Sequence, residues 1–277
     1  MKKISLLIIA LVAISSVLRA QDVKKDSVKG PKITILSFDI QDKDSWNCYM
    51  SEDENGNKKF FSKRNNRYRF DGHWAGFELG FTRFTDAPKD FLELSKSKSS
   101  QVNLNIIETS FSISENFGFV TGLGIQWNNY RFSNDVTLVK FIDHDGDKCY
   151  TQFPINKKDK DVLKTKLTTT YLTVPLLLEF QSKYNRGKFF QFGIVGGFNI
   201  GSHTKIKYGN GDKDKNFDDF GIKDLKCDGT VRLGISPFNI WFSYSFTDIF
   251  KDDNLFNNST GEYLNVSPWS FGFSIFF

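Results

Sequence analysis

Five charged residues lie within stretches of the chain that otherwise alternate between bulky apolar residues and small or polar ones. In each stretch the charge falls on the side of the small and polar residues. The five are Glu78, Glu108, Glu179, Asp228 and Arg232. Carboxylates that share a narrow interior repel each other unless a cation lies between them. We therefore expect a closed, hydrogen-bonded ion network in which Glu78 and Glu108 approach each other and Arg232 is the cation. A path for protons or ions is the alternative.

A short acidic run resembles the start of a calcium-binding loop. Its candidate ligands are Asp143, Asp145 and Asp147. The pattern then breaks, because Lys148 stands where such a loop needs Gly and Pro154 stands where it needs a bidentate Glu. We expect a solvated acidic turn and predict no metal site and no cofactor. Weak calcium bridging between loops remains the alternative.

Nucleophilic catalysis would need a Ser or Cys close to a His that is oriented by an acid. The three histidines, His73, His144 and His203, fall in separate segments. Ser202 beside His203 is the one loose pairing for a lipid-modifying enzyme, and no acid accompanies it at a readable spacing. The sequence therefore predicts that the chain is not an enzyme.

The chain contains three cysteines, Cys48, Cys149 and Cys227. An exported protein meets an oxidising compartment in which disulfides form. A bridge between Cys149 and Cys227 would join two external segments and leave Cys48 free. The alternative, that all three are unpaired, stays open.

The segments that position these residues show a period of two, which is typical of strands with two different faces. At the end of the chain Trp269, Phe271 and Phe273 alternate with Ser270 and Gly272. Eight such segments are predicted, over residues 74–84, 101–114, 117–131, 166–182, 188–203, 224–236, 238–249 and 268–277. Each is close to or above the about 9–11 residues that a tilted strand needs to cross a bilayer.

The connections between these segments alternate between long and short. Membrane barrels have short periplasmic turns, long external loops and an even number of strands. The bulky Phe, Leu, Ile and Trp faces are too large to converge inside eight strands, so they fit lipid better than the core of a soluble barrel. We predict an all-β, closed antiparallel transmembrane β-barrel of eight strands with both termini in the periplasm. Ten strands is the alternative if residues 32–61 add a hairpin.

The first residues predict export. Lys2 and Lys3 precede an apolar run over residues 4–18, and Leu18–Ala20 ends in a small residue suited to cleavage. We predict a signal peptide over 1–20, a partly disordered periplasmic segment over 21–73, and the barrel over 74–277. Cleavage would leave 34 basic residues against 32 acidic ones, from 37 and 32 in the whole chain. This near balance gives no reason to expect a nucleic-acid partner.

Two segments resemble the PorT-like outer-membrane β-barrel proteins of Bacteroidetes-type bacteria. Arg69–Phe81 is similar to their opening strand, and Tyr171–Phe180 (YLTVPLLLEF) is similar to their hallmark strand Y-L-x-[IV]-P-L-L-L. The terminal Phe277 is similar to the aromatic ending that barrel-assembly machinery reads. The resemblance covers 74–277. It implies a multi-pass barrel in the bacterial outer membrane, among outer-membrane lipid, and for one branch it implies a part in protein secretion.

The sequence thus predicts a non-enzymatic outer-membrane barrel that acts as a structural or interaction module. Its long loops would contact a partner, such as a secretion-apparatus or surface protein. A small-solute channel is the main alternative and would require a continuous wet lumen. A lipid-modifying enzyme is the other alternative.

Overall fold

The structure is a computed structural model. It describes residues 70–85, 88, 91–95, 98–143, 146–155, 161–185 and 187–276, together with the backbone of four short strands between residues 32 and 62. The predicted signal peptide and Phe277 lie outside the described residues, and so does most of the predicted periplasmic segment. No helix in the described part of the chain is long and apolar enough to cross a membrane.

Seventeen strands are present in the described residues. In chain order they are β1 (Lys32–Ile35), β2 (Phe38–Ile40), β3 (Cys48–Glu52), β4 (Lys58–Ser62), β5 (Gly76–Thr85), β6 (Ser100–Ser112), β7 (Phe117–Arg131), β8 (Val136–Ile142), β9 (Lys148–Pro154), β10 (Val162–Gln181), β11 (Lys188–Tyr208), β12 (Lys213–Phe217), β13 (Leu225–Ile235), β14 (Phe238–Ser245), β15 (Leu255–Asn257), β16 (Glu262–Tyr263) and β17 (Ser267–Phe276).

Eight of these strands close into an antiparallel barrel. Around the barrel the order is β6, β5, β17, β14, β13, β11, β10 and β7, and β7 pairs back with β6. The predicted fold class and the count of eight are therefore confirmed. β1 pairs with the end of β6 at residues 107–110, beyond the part of β6 that pairs with β5, and β3 pairs only with β4. The four described strands between residues 32 and 62 are thus not part of the closed ring of eight, so the ten-strand alternative is wrong.

The two faces of the barrel wall carry the two sets of residues that the alternation predicts. On β5 the outward Phe77, Leu79 and Phe81 are exposed, whereas the intervening Glu78 is buried. The same alternation continues on β14 and β17. Large apolar side chains therefore form the outer surface, and small or polar ones fill the interior. This is the arrangement of a barrel whose solvent on the outside is lipid.

Loop lengths separate the two ends of the barrel. Strands β6 and β7, β10 and β11, and β13 and β14 are joined by turns over residues 113–116, 182–187 and 236–237. This end also contains the start of β5 and the end of β17, and we call it the periplasmic end. β10 and β11 have 20 and 21 residues. They are about twice as long as a spanning strand needs to be, so they project past the membrane at the opposite, outer end.

Candidate functional site: the closed lumen and the outer cap

The residues just before β5 run inside the barrel. In this segment, Phe70–Ala75, which we call the plug, Phe70 and Trp74 are almost completely buried and pack with Val120, Leu177 and Val195 from the wall. Small residues in the wall make room for these rings. A Cβ on Gly122 would lie 3.0 Å from the Trp74 ring and would overlap the carbonyl oxygen of Ile107. The interior of the barrel is therefore filled by the plug, the segment of the chain that leads into β5.

Two inward carboxylates hold the plug through its backbone. Glu108 Oε2 accepts the N–H groups of Trp74 and Ala75 at 2.5 and 2.9 Å. Glu179 Oε2 accepts the N–H of His73 at 3.0 Å, and its Oε1 lies 2.7 Å from His73 Nδ1. The imidazole also stacks on Phe189, with ring centroids 4.2 Å apart. Charged acceptors make strong bonds to N–H donors when both are buried, so these two residues position the plug.

Arg232 serves a different carboxylate. Its Nη1 lies 2.5 Å from Glu78 Oε1, and its guanidinium lies over the Trp74 ring at 4.6 Å. Glu78 also accepts hydrogen bonds from the amides of Asn103 and Asn105 at 2.6 and 2.7 Å. Both oxygens of the buried Glu78 carboxylate thus have hydrogen-bond partners, as a buried charge requires.

The fourth acid belongs to a separate group near the outer end. Asp228 Oδ2 lies 2.5 Å from Lys226 Nζ, and the same ammonium lies 4.9 Å above the Tyr171 ring. All five predicted residues are buried in the interior. Arg232 pairs with Glu78, whereas Asp228 pairs with Lys226, so Arg232 is not the cation for all four acids as expected. Glu78 and Glu108 are nevertheless linked, because Asn105 donates to Glu78 and to the Trp74 carbonyl, and the Trp74 N–H donates to Glu108. Lys226 was missed, although its spacing of two from Asp228 places both on one face.

Little space remains between these groups. The cavity in the middle of the lumen has a volume of about 10 Å³ and is lined by Trp74, Arg232 and Trp241, among others. A cavity of roughly 10–15 Å³ holds about one water molecule. This cavity in the described lumen is therefore about large enough for one water molecule.

The long connections close the other end of the barrel over an apolar core. We call the residues of these connections that pack together the outer cap. Sixteen buried residues form its core, of which thirteen belong to the connections and three, Tyr130, Leu167 and Tyr171, belong to the wall strands β7 and β10. They are Phe91, Leu92, Leu94, Tyr130, Phe132, Val136, Leu138, Tyr150, Leu167, Tyr171, Phe220, Ile222, Ile249, Phe250, Leu255 and Val266. All four long connections contribute, so the loops form one packed body.

Backbone pairing joins the same loops. β8 and β9 form a hairpin, and β15 pairs in parallel with β9 through Leu255 and Tyr150. Isolated bridges link Leu94 with Phe132 and Ile222 with Phe250. Loop backbone that is hydrogen-bonded in this way has few alternative conformations.

A side-chain hydrogen bond connects the second and third loops. Tyr150 Oη donates to Asp219 Oδ1 at 2.7 Å. Partial burial acts to raise the pKa of Asp219, but the hydrogen bonds from Tyr150 and from the Gly221 N–H, with the charges of Lys251 and Lys140, outweigh it and lower the pKa. Burial and the hydrogen bond to Asp219 raise the pKa of Tyr150. The pair is therefore a carboxylate that accepts from a phenol over the neutral pH range.

An open groove lies between β8 and the β11–β12 hairpin. Its volume is about 530 Å³, within the range of ligand pockets. The walls combine apolar and charged side chains. They include Val139, Lys140, Tyr150, Ile206, Asp214, Lys215 and Asp218. Lys140 and Asp218 form a salt bridge of 3.5 Å across part of it. We call this feature the outer groove.

The candidate metal and enzyme sites are not assembled by the described residues. No group of three or more His, Cys, Asp or Glu that could hold a metal ion occurs among them. Asp145 lies outside the described residues, and Asp143 accepts a hydrogen bond from Tyr263 Oη. Ser202 is buried on the inner face of β11, where Asn199 donates to it, whereas His203 points outward and contacts Phe217. Adjacent strand residues on opposite faces cannot act as a nucleophile and its base.

The candidate disulfide is also not formed. Both Cys149 and Cys227 are free thiols. Cys149 is buried in the cap, where its Sγ lies 3.5 Å from the carbonyl oxygen of Asp253, whereas Cys227 belongs to the wall and its N–H donates to Thr247. Burial raises the pKa of the Cys149 thiol. The predicted disulfide is therefore wrong, because Cys149 lies in the cap and Cys227 lies in the barrel wall, where each has separate partners. The side chain of Cys48 lies outside the described residues.

A family comparison agrees with this architecture. Residues 57–251 match the family model described as outer membrane protein beta-barrel domain. No curated protein matches the chain. Among solved structures, Ail, the attachment invasion locus protein of Yersinia pestis, in complex with the heparin analogue sucrose octasulfate, is 11% identical, with a TM-score of 0.33 over 72% of this chain and 94% of that one. Because the family model covers well over half of the sequence, the chain belongs to the outer membrane protein beta-barrel domain family.

Proposed function

We propose that the chain is a non-enzymatic structural and interaction module of the bacterial outer membrane, and that its outer cap binds a partner. The observation that carries this proposal is closure at both ends. The plug fills the periplasmic half of the lumen, and the apolar core of the cap covers the outer mouth. A barrel that is closed in this way would act through contacts on its outer surface and not through its lumen.

The structure of the cap supports a binding role. Exposed apolar residues lie on its surface, with Ile142 71% and Phe153 54% exposed, near the outer groove. The cap core holds this surface in one arrangement before a partner arrives. Preorganisation lowers the entropy that binding costs, so a cap with its own core is better suited to recognition than four separate loops.

A part in protein secretion is the more specific proposal. It rests on the resemblance of Tyr171–Phe180 to the hallmark strand of the PorT-like proteins. In this proposal the partner is a secretion-apparatus or surface protein. Deletion of the chain in its own bacterium would then reduce the amount of protein in the culture supernatant, and the wild-type chain would restore it. Unchanged secretion would overturn this link and leave the interaction role standing.

Photo-crosslinking tests the interaction role directly. A photoreactive amino acid at Phe153 in the cap should give a discrete adduct in intact outer membranes. The same amino acid at Tyr184, in a periplasmic turn and fully exposed, is the control for non-specific capture. Adducts of equal yield at the two positions, or none at Phe153, would contradict the proposal.

Conductance separates this proposal from a solute channel. Purified chain in planar bilayers should give no current steps of reproducible size, because the mid-lumen cavity is about as large as one water molecule. Defined and reproducible channels would favour the channel instead.

A further inference from the structure

Basic residues form two rows across four neighbouring strands at the outer end of the barrel. In the first row Arg131 of β7 lies opposite Lys166 of β10, Lys166 lies opposite Lys205 of β11, and Lys205 lies opposite Lys215 of β12. In the second row Lys164 lies opposite Lys207, and Lys207 lies opposite Lys213. We call these seven residues the basic ladder.

The ladder lies on the outward face of the wall. On β10 the outward positions are the even-numbered ones, from Leu172 to Phe180 in the apolar band and then Lys166 and Lys164 beyond it. On β11 the register shifts between Gly201 and Asn199, and above that shift the odd-numbered positions face outward. The ladder therefore lies on the lipid-facing side of the wall, beyond the outer edge of the apolar band.

Acidic residues are absent from this face of the described strand segments. Between residues 127–131, 162–170, 201–207 and 213–217 the only acid is Asp214, which pairs with Ile206 and by register lies on the face opposite Lys213 and Lys215. Asp214 and Lys215 both line the outer groove, so the ladder meets the groove at Lys215. Within the described part of the chain, Lys164, Lys205, Lys207, Lys213 and Lys215 form no salt bridge. Elsewhere on the outer side Lys140 and Lys223 do.

Like charges directly opposite each other destabilise a sheet. Here the arrangement repeats at five cross-strand pairs, so folding alone does not account for it. An anion bound against the outward face would turn repulsion into attraction. Apolar residues flank the site on the same surface, since Phe217 is 72% exposed and Ile200, at the register shift, is 53% exposed. The surface thus combines cations with apolar contact at the boundary of the bilayer.

We propose that the basic ladder binds the phosphate groups of an anionic glycolipid in the outer leaflet, with Phe217 and Ile200 against its sugar and acyl portion. Basic clusters at a membrane surface attract anionic headgroups in this way. The bound lipid would hold the β10–β12 extension against the membrane and set the height of the cap above it.

Lipid binding by the full chain in micelles of uncharged detergent tests the proposal. The probes are lipid A with two phosphates and the same lipid after removal of both phosphates, and native mass spectrometry measures the bound fraction. The wild-type chain should bind the phosphorylated lipid at least about tenfold more tightly, because each basic residue near the surface contributes to the attraction. Salt should reduce that preference.

The test variant is Lys205→Gln/Lys207→Gln/Lys213→Gln/Lys215→Gln, which should lose the preference for phosphate. The matched control removes the same charge elsewhere, at exposed positions, as Lys98→Gln/Lys148→Gln/Lys183→Gln/Lys188→Gln. The control should retain the preference, and the four Lys→Arg changes in the ladder should retain it too. Heat-modifiable gel mobility confirms that each variant is folded. If the fourfold variant does not fold, Lys207→Gln/Lys213→Gln, at two exposed positions, replaces it with an expected loss of about threefold.

Three results would overturn the proposal. The first is equal binding of the two lipids by the wild-type chain. The second is an unchanged preference for the phosphorylated lipid in the ladder variant. The third is an equal loss of that preference in the control variant, which would mean that the effect depends only on net charge. None of these results bears on the crosslinking of the cap.

Discussion

Arg232 on β13 and Glu78 on β5 form an ion pair across the lumen, with Nη1 and Oε1 2.5 Å apart and both side chains buried. Two strands, β14 and β17, separate them around the wall. The pair therefore joins opposite parts of the barrel through its interior, and it also supports the plug because Arg232 lies over Trp74.

Removing the cation alone should be strongly destabilising. Arg232→Met is expected to lower the free energy of unfolding by about 3–5 kcal/mol, because Glu78 keeps a buried charge without its partner. Urea unfolding in detergent micelles measures it. The double variant Arg232→Met/Glu78→Gln should recover most of the loss, and Lys183→Met at an exposed turn is the control. An unchanged free energy of unfolding in Arg232→Met would mean that the ion pair is not formed.

Releasing the plug should require the loss of its carboxylate acceptors. In Glu108→Ala/Glu179→Ala the N–H groups of His73, Trp74 and Ala75 lose their acceptors. Hydrogen exchange of residues 70–76, followed by mass spectrometry, should accelerate about tenfold or more, since hydrogen bonds to charged groups contribute about 1.5–3 kcal/mol each. Asn128→Ala is the control, because Asn128 is buried in the lumen but bonds to Thr169. Equal exchange in the wild type and the double variant would contradict the described hold on the plug.

Adjacent residues on β7 should respond in opposite ways to size and charge. Leu123 faces lipid, so Leu123→Ala should be mild and Leu123→Arg should cost about 2–4 kcal/mol near mid-depth. Gly122 faces the lumen, and even Gly122→Ala should be severe because its Cβ would overlap the Ile107 carbonyl. Heat-modifiable mobility after refolding into vesicles compares the three. If Gly122→Ala refolds as well as Leu123→Ala, the assignment of faces on β7 is incorrect.

The cap should loosen in acid. Because the pKa of Asp219 is lowered in the folded chain, its ionised form contributes stability above the unfolded pKa, and this is lost as pH falls through the folded value. Asp219 is largely exposed, so after solvent screening the effect is at most about 1 kcal/mol. Limited proteolysis of the cap from pH 7 to pH 3 should show a midpoint that Tyr150→Phe moves to higher pH. An unchanged midpoint in Tyr150→Phe would exclude this hydrogen bond as the cause.

The cysteines should behave as thiols. In non-reducing gels the denatured chain should migrate as it does with reductant, and Cys149→Ser should not change its mobility. In the folded chain Cys149 should react slowly with thiol reagents, because it is buried and its pKa is raised. A mobility shift that reductant removes and that Cys227→Ser abolishes would show that the Cys149–Cys227 disulfide does form.

The sequence by itself determined the wall of the barrel. Alternation of period two assigns each strand residue to lipid or lumen, because successive side chains in a strand point to opposite faces. The predicted strand over 117–131 agrees with β7 at both ends. The largest differences are at β14, which ends at Ser245 where the prediction extends to 249, and at β10 and β11, which extend further outward than predicted, to Val162 and Tyr208. There the apolar pattern ends while hydrogen bonding continues.

Only the tertiary structure decided what fills and covers that wall. The partners of Glu108 are backbone N–H groups of Trp74 and Ala75. Every residue except proline has such a group, so neither the composition nor the periodicity of the sequence identifies these partners. The cap core gathers scattered residues such as Phe91, Phe220 and Phe250 from separate loops. Nothing in their local spacing distinguishes them from exposed loop residues, because only closure of the eight strands brings the loops together over one mouth.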